Sequence, residues 1–176
     1  MASTEQGTKA VTHHPGQGFI ITRAFDAPRD LVFKMWTDPE HMKHWWGPKG
    51  CTIGTCKMDL RPGGSLLYSM RMPGSPEMWG KFVYREILVP ERLVFVNSFS
   101  DENGNITRAP FSPTFPLEVM NTLTFAERFG KTTLTLLGSP INAAEEEWRT
   151  FDSLFGSMHR GFSGTFDQLA DYMAKA

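Results

Sequence analysis

The chain has 176 residues, 18 Lys and Arg against 19 Asp and Glu, a formal charge of −1, and 40% hydrophobic and 12% aromatic content. One domain of this size can bury about 70% of its unfolded surface around a single core, and the composition excludes disordered, collagen-like and coiled-coil chains. No basic excess marks a nucleic-acid partner, two cysteines cannot frame a disulfide scaffold, and no apolar run reaches the ~18 residues of a membrane-spanning helix.

Residues 1–17 are polar and lack the apolar stretch of a signal peptide, so they read as a disordered tail with a cytoplasmic address expected, and residues 18–176 as one domain. His13-His14 in the tail reads as a solvated pair rather than a metal site. Residues 18–25 (GFIITRAF) are β-branched and apolar, a strand that stops at Asp26-Ala27-Pro28, where an acid positioned to cap precedes a Pro suited to a first helical turn. Leu31, Val32, Met35 and Trp36 follow at helical spacing, and Asp38-Pro39-Glu40 starts a second short helix carrying Met42, Trp45 and Trp46, ended by Gly47-Pro48.

Strands follow at 52–60, 65–72, 78–88, 92–98, 117–125 and 131–137, joined by Pro- and Gly-rich turns, with Arg128-Phe129-Gly130 closing the last hairpin. In 78–88 both alternating sets are apolar, so its faces stay unassigned, and cover from a second subunit, hence a homodimer, is one reading. Residues 100–116 are polar and rich in Pro and Asn, a long loop. From Trp148 through Phe151, Leu154, Phe155, Met158, Phe162, Phe166, Leu169, Tyr172 and Met173, apolar residues step by three and four, predicting one continuous helix over 142–173. Gly156, Gly161 and Gly164 lie inside it, which calls for close packing or a bend. An open antiparallel sheet must cover its apolar face, and this helix is the element long enough to do so. A curved sheet cannot close on the helix along its whole length, so an apolar chamber is expected beneath the helix's leading end, roofed by the two short helices.

The segments Phe25-Asp26-Ala27-Pro28, Trp45-Trp46-Gly47-Pro48, Asp59-Leu60-Arg61-Pro62-Gly63-Gly64, Tyr84-Arg85-Glu86-Ile87 and Pro90-Glu91-Arg92-Leu93 occur in the order of one family's motifs. The chain resembles homologues of the C-terminal domain of the heat-shock-protein-90 ATPase activator, within the START-like (SRPBCC) helix-grip superfamily, from Phe19 to Met173. It departs at Gly161-Phe162, where the family has a Gly-Trp pair. The resemblance implies an α+β helix-grip fold, a curved antiparallel sheet of six to seven strands around a long C-terminal helix. It also implies binding of a hydrophobic small molecule between sheet and helix. A polyketide cyclase or dehydratase-like enzyme and a chaperone-interacting module are the alternatives. The chain is expected to carry no preceding domain of the kind eukaryotic activators have, which counts against chaperone stimulation.

The residues expected to line the chamber are Trp46, Met58, Tyr68, Met70, Phe95, Asn97, Asn121, Leu123, Trp148, Phe151, Phe155 and Met158. Met adapts its shape to irregular ligands, and Tyr68, Asn97 and Asn121 would supply sparse polar handles. No metal and no cofactor is expected. Cys51, Cys56, His41 and His44 lack the paired spacing of a zinc site. Gly161-Phe162-Ser163-Gly164 lacks the spacing of a hydrolase elbow and sits in a helix. Tyr68 and His159 are the weak acid–base candidates an enzyme would need.

Overall fold

In the computed structural model, residues 16–175 are described; His13-His14 and all but two residues of the expected tail lie outside them. Strand β1 (Phe19–Phe25) is followed by α1 (Arg29–Thr37) and α2 (Pro39–Met42). Then come β2 (Thr52–Met58), β3 (Ser65–Arg71), β4 (Met78–Leu88), β5 (Arg92–Ser100), β6 (Ile106–Thr107), β7 (Val119–Arg128) and β8 (Lys131–Pro140). The chain ends with α3 (Glu145–Ser153) and α4 (Phe155–Lys175). The strands form one antiparallel sheet in the order β1-β8-β7-β5-β4-β3-β2, with β6 added to the far end of β5 where β7 has ended. This is the α+β helix-grip architecture implied by the motifs.

Local chemistry explains the boundaries, with three corrections to expectation. Asp26 does not cap α1: Pro28 occupies the cap site, and the Arg29 amide is taken instead by Glu127 Oε1 at 2.7 Å from the tip of β7. Asp38 does cap α2, its Oδ1 accepting the Glu40 amide at 2.9 Å. Residues 100–116 are not structureless. β5 runs to Ser100, β6 pairs with it, and the Asp101 carboxylate accepts the amides of Asn103 and Asn105, both at 2.9 Å, to fold the turn between them.

The third correction concerns the final helix, which is broken at Leu154 (φ −97°, ψ 8°). In a continuous α-helix the Leu154 amide would donate to the Thr150 carbonyl. Here the Ser153 hydroxyl donates to that carbonyl at 2.7 Å, and the Leu154 amide turns to Phe151 O at 3.1 Å. Gly156, a weak helix former, follows directly. The ladder resumes at once, with the Met158 amide on Leu154 O at 2.9 Å.

The faces of β4, open in the sequence, are settled by burial: Gly80, Phe82 and Tyr84 point inward, while Trp79, Lys81 and Val83 are half-buried on the outer face. The dense core lies under the second half of α4. Trp36 stands edge-on to Trp45 (4.7 Å between ring centroids) and to Phe166 (6.4 Å), while Phe25 meets Phe166 at 6.1 Å. The Trp45 indole donates to Met35 O at 3.2 Å, so this fully buried ring is satisfied. Outside, Arg23 pairs with Asp167 at 2.8 Å and ties β1 to α4. Among the described residues no helix is long and apolar enough to cross a membrane.

Candidate functional site

Beneath the α3–α4 break the sheet and helices do not meet, and a cavity of about 500 Å³ remains. The sheet floors it through the alternation of its strands: Tyr68 and Met70 on β3, Phe95 and Asn97 on β5, Val119 and Asn121 on β7, Leu136 and Gly138 on β8. Phe151 of α3, Leu154 at the break, and Ser157, Met158, Gly161 and Phe162 of α4 form the opposite wall. Trp46, Gly47 and Pro48 close one side, and Phe111, Phe115 and Pro116 of the loop after β6 close the other.

Each side is pinned. The Gly47 carbonyl accepts the Thr165 hydroxyl at 2.9 Å and the Gln168 amide at 2.8 Å, holding the roof segment to α4. The loop is clamped to α3: Arg108 donates to Phe115 O (3.3 Å) and to Glu147 Oε2 (2.6 Å), and the Thr114 and Thr150 hydroxyls meet at 2.7 Å. Phe115 packs on Phe151 with centroids 6.1 Å apart. Glu147 also accepts the Ala144 amide at 2.9 Å, and that bond first, with Arg108 second, holds its carboxyl below the usual carboxylate range.

The polar part of the wall is small and centred on Tyr68. The Asn97 side-chain amide donates to the Lys81 carbonyl at 3.3 Å and, from the same nitrogen, towards the Tyr68 hydroxyl oxygen at 3.5 Å. The Trp46 ring stands perpendicular to the Tyr68 ring, centroids 6.0 Å apart. Its indole N–H is buried and makes no hydrogen bond of proper geometry, yet it lies near enough to the Tyr68 oxygen to favour charge there. Burial outweighs both and pushes the Tyr68 hydroxyl up from its ordinary pKa, so it keeps its proton near neutrality. Room for the ring comes from Gly80 on the neighbouring strand, where any Cβ would overlap the Tyr68 hydroxyl. The Asn121 side-chain nitrogen donates to Val119 O at 3.2 Å, leaving its oxygen as an acceptor on the wall. Among the described residues, no Asp, Glu, His, Lys or Arg stands on the cavity wall.

The structure brings together Trp46, Tyr68, Met70, Phe95, Asn97, Asn121, Phe151 and Met158 around this space. Met58, Leu123, Trp148 and Phe155 lie off the wall. Met58 is at the far end of β2 beside Leu66, and Leu123 is fully buried between Leu93 and Leu136 in the core. Phe155, just past the break, is half-buried against the core ring Phe19 and stacks on His159. Trp148 packs edge-on to Phe151 with centroids 6.3 Å apart and is not part of the wall. Sequence reasoning missed the loop residues Phe111, Phe115 and Pro116; the available signal was aromatic side chains in an otherwise polar segment. It also missed Gly161, where an added Cβ meets no atom within 4 Å. That glycine borders open space rather than a tight contact.

The other candidates take structural places. His159 stacks on Phe155 away from the cavity, so it does not meet Tyr68. Ser163 donates its hydroxyl to His159 O at 2.7 Å inside α4. His41 Nδ1 lies 2.7 Å from the Tyr172 hydroxyl, His44 stacks on the same ring, and Cys51 and Cys56 are free thiols. Among the described residues no three His, Cys, Asp or Glu side chains converge as a metal site would need. Burial pushes the Cys56 thiol up to about 11.

A curved antiparallel sheet gripping a helix over an apolar chamber defines a helix-grip domain of the kind suited to holding a ligand. The chain belongs to the family described as Activator of Hsp90 ATPase homolog 1-like protein, which matches residues 26–174. Its fold is shared with a protein from Mycobacterium smegmatis (25% identity, 93% of this chain and 95% of that one, TM-score 0.73). Proteins from Arthrobacter aurescens (24%, 95% and 92%, TM-score 0.77) and Staphylococcus epidermidis (23%, 94% and 94%, TM-score 0.72) share it too. None of the curated proteins matches the chain.

Proposed function

We propose that the chamber binds a hydrophobic or aromatic small molecule, held non-covalently between the sheet and the α3–α4 junction. The observation that carries this reading is the cavity itself. Its volume of about 500 Å³ falls in the range of small-molecule sites, and a mostly apolar wall with a few convergent polar groups is their usual chemistry. The wall supports binding over turnover. Tyr68 is its ionisable group, burial holds the proton on it, and no carboxylate or imidazole of the described wall stands by to exchange that proton.

Native mass spectrometry and thermal shift against lipids, polyketides and polycyclic aromatics test the reading. A true ligand should add one mass per chain and, at a hundredfold excess over Kd, about 2.7 kcal/mol of stability. Gly161→Leu should fill the space without displacing a neighbour, abolishing the shift while leaving the unliganded melting temperature unchanged or higher. A panel with no binder, or binding indifferent to Gly161→Leu, would overturn it.

A further inference from the structure

We infer that the chamber selects an uncharged ligand bearing a hydrogen-bond-accepting oxygen, a ketone or quinone carbonyl, which receives the Tyr68 hydroxyl proton beside the Trp46 indole N–H. This rests on the reading of the chamber as a small-molecule site and narrows it to a chemical class.

The inference comes from counting donors. The Lys81 carbonyl fixes the Asn97 amide with its nitrogen towards the sheet, and the same nitrogen faces the Tyr68 oxygen. Two N–H groups, those of Asn97 and Trp46, thus surround the acceptor side of that oxygen. Its own O–H has no acceptor among the described residues, although Tyr68 is only 6% exposed. The Trp46 N–H, buried beside the same oxygen, makes no hydrogen bond of proper geometry to it. A buried donor left unmade is costly, so the Tyr68 O–H, with a poorly aligned indole N–H beside it, favours whatever supplies an acceptor there. The Tyr68 O–H calls for an acceptor, which a ligand carbonyl supplies and an ammonium cannot. The side-chain oxygens of Asn97 and Asn121 stand elsewhere on the wall and can accept any N–H or O–H the ligand carries. An anion would find hydrogen bonds but no cation, since no Lys, Arg or His stands on the described wall, and would enter an apolar space unpaired. The fit is thus to a flat or compact apolar body with a neutral carbonyl. Gly80 is part of the arrangement, because any side chain there would push the Tyr68 hydroxyl from its seat.

Three probes of one skeleton separate this inference from the reading beneath it: fluorene, 9-fluorenone and fluorene-9-carboxylate, titrated by calorimetry into the full chain and into Tyr68→Phe. The expected result is fluorenone bound about tenfold more tightly than fluorene, with the carboxylate weakest. In Tyr68→Phe the fluorenone advantage should vanish while fluorene affinity stays the same. The infrared carbonyl stretch of fluorenone should move to lower wavenumber on binding the unaltered protein. That reading carries the test by itself if Tyr68→Phe does not fold. Equal binding of fluorene and fluorenone, tightest binding of the carboxylate, or an unshifted carbonyl stretch would overturn the inference and leave the chamber reading standing. Failure of all three probes to bind would count against both.

Discussion

The two ends of the gripped helix are built from the same kinds of residue and end in opposite states. Under its second half, Phe166 and Leu169 are wholly buried against Phe25 and the Trp36–Trp45 pair. Under its first half, Leu154 and Met158 are half-buried and border a void. The difference lies in what stands opposite. Two indoles brought in by α1 and the segment after α2 fill one end, whereas the other is roofed by Gly47, Pro48 and an aromatic loop held at a distance. An apolar stripe therefore demands burial but does not say whether protein or ligand completes it.

That contrast can be broken by truncation. Phe166→Ala should cost about 3–5 kcal/mol of unfolding free energy, because every side of that ring is packed. Phe151→Ala, equally hidden from solvent but with one face on the void, should cost about 1–2 kcal/mol, since fewer contacts are lost. Chemical denaturation of both variants decides it, and equal costs would mean that the chamber is closed in solution.

The filled end was largely legible in the sequence. Leu31, Val32, Met35, Trp36, Phe166 and Leu169 announce themselves by spacing, and period-two alternation places Tyr68 with Met70 and Phe95 with Asn97. The hollow end was legible only in part. The stripe runs unbroken through Leu154, so periodicity gave no sign that the Ser153 hydroxyl would take a backbone acceptor and end the turn. Past that point Phe155 packs on Phe19 and His159 rather than on the cavity. Phe111 and Phe115 were hidden for another reason: a loop has no period, and the Arg108–Glu147 clamp joins residues 39 apart.

A second contrast concerns chemistry. Burial raises the Cys56 thiol from 9.0 to about 11, which leaves about a hundredfold less thiolate near pH 8 than an ordinary cysteine has. Iodoacetamide labelling of Cys56 should be slower by about that factor, and labelling at the rate of a free thiol would show that β2 opens readily.

The smallest expected effect lies in the clamp on the loop. The Glu147 carboxyl is held below its ordinary value by the Ala144 amide and then by Arg108. Its contribution is therefore complete above the ordinary carboxylate pKa and is lost as pH falls through the lowered one. Because Arg108 is exposed and Glu147 only half-buried, the change should be modest: about a two- to fivefold loss of hydrogen-exchange protection, relative to the intrinsic rate at each pH, at residues 108–116 in acid, reproduced near neutrality by Arg108→Ala. Exchange independent of both would leave the loop held by Phe115 and Thr114 alone.

The central claim is that empty, apolar, accessible space exists beneath the leading end of the helix, and xenon tests it most directly. Crystals pressurised with xenon should show a strong peak between Met70, Phe95, Leu136, Phe151 and Met158, absent from Gly161→Leu. If the side chains around that point have moved in and the noble gas finds no site there, the chamber does not exist.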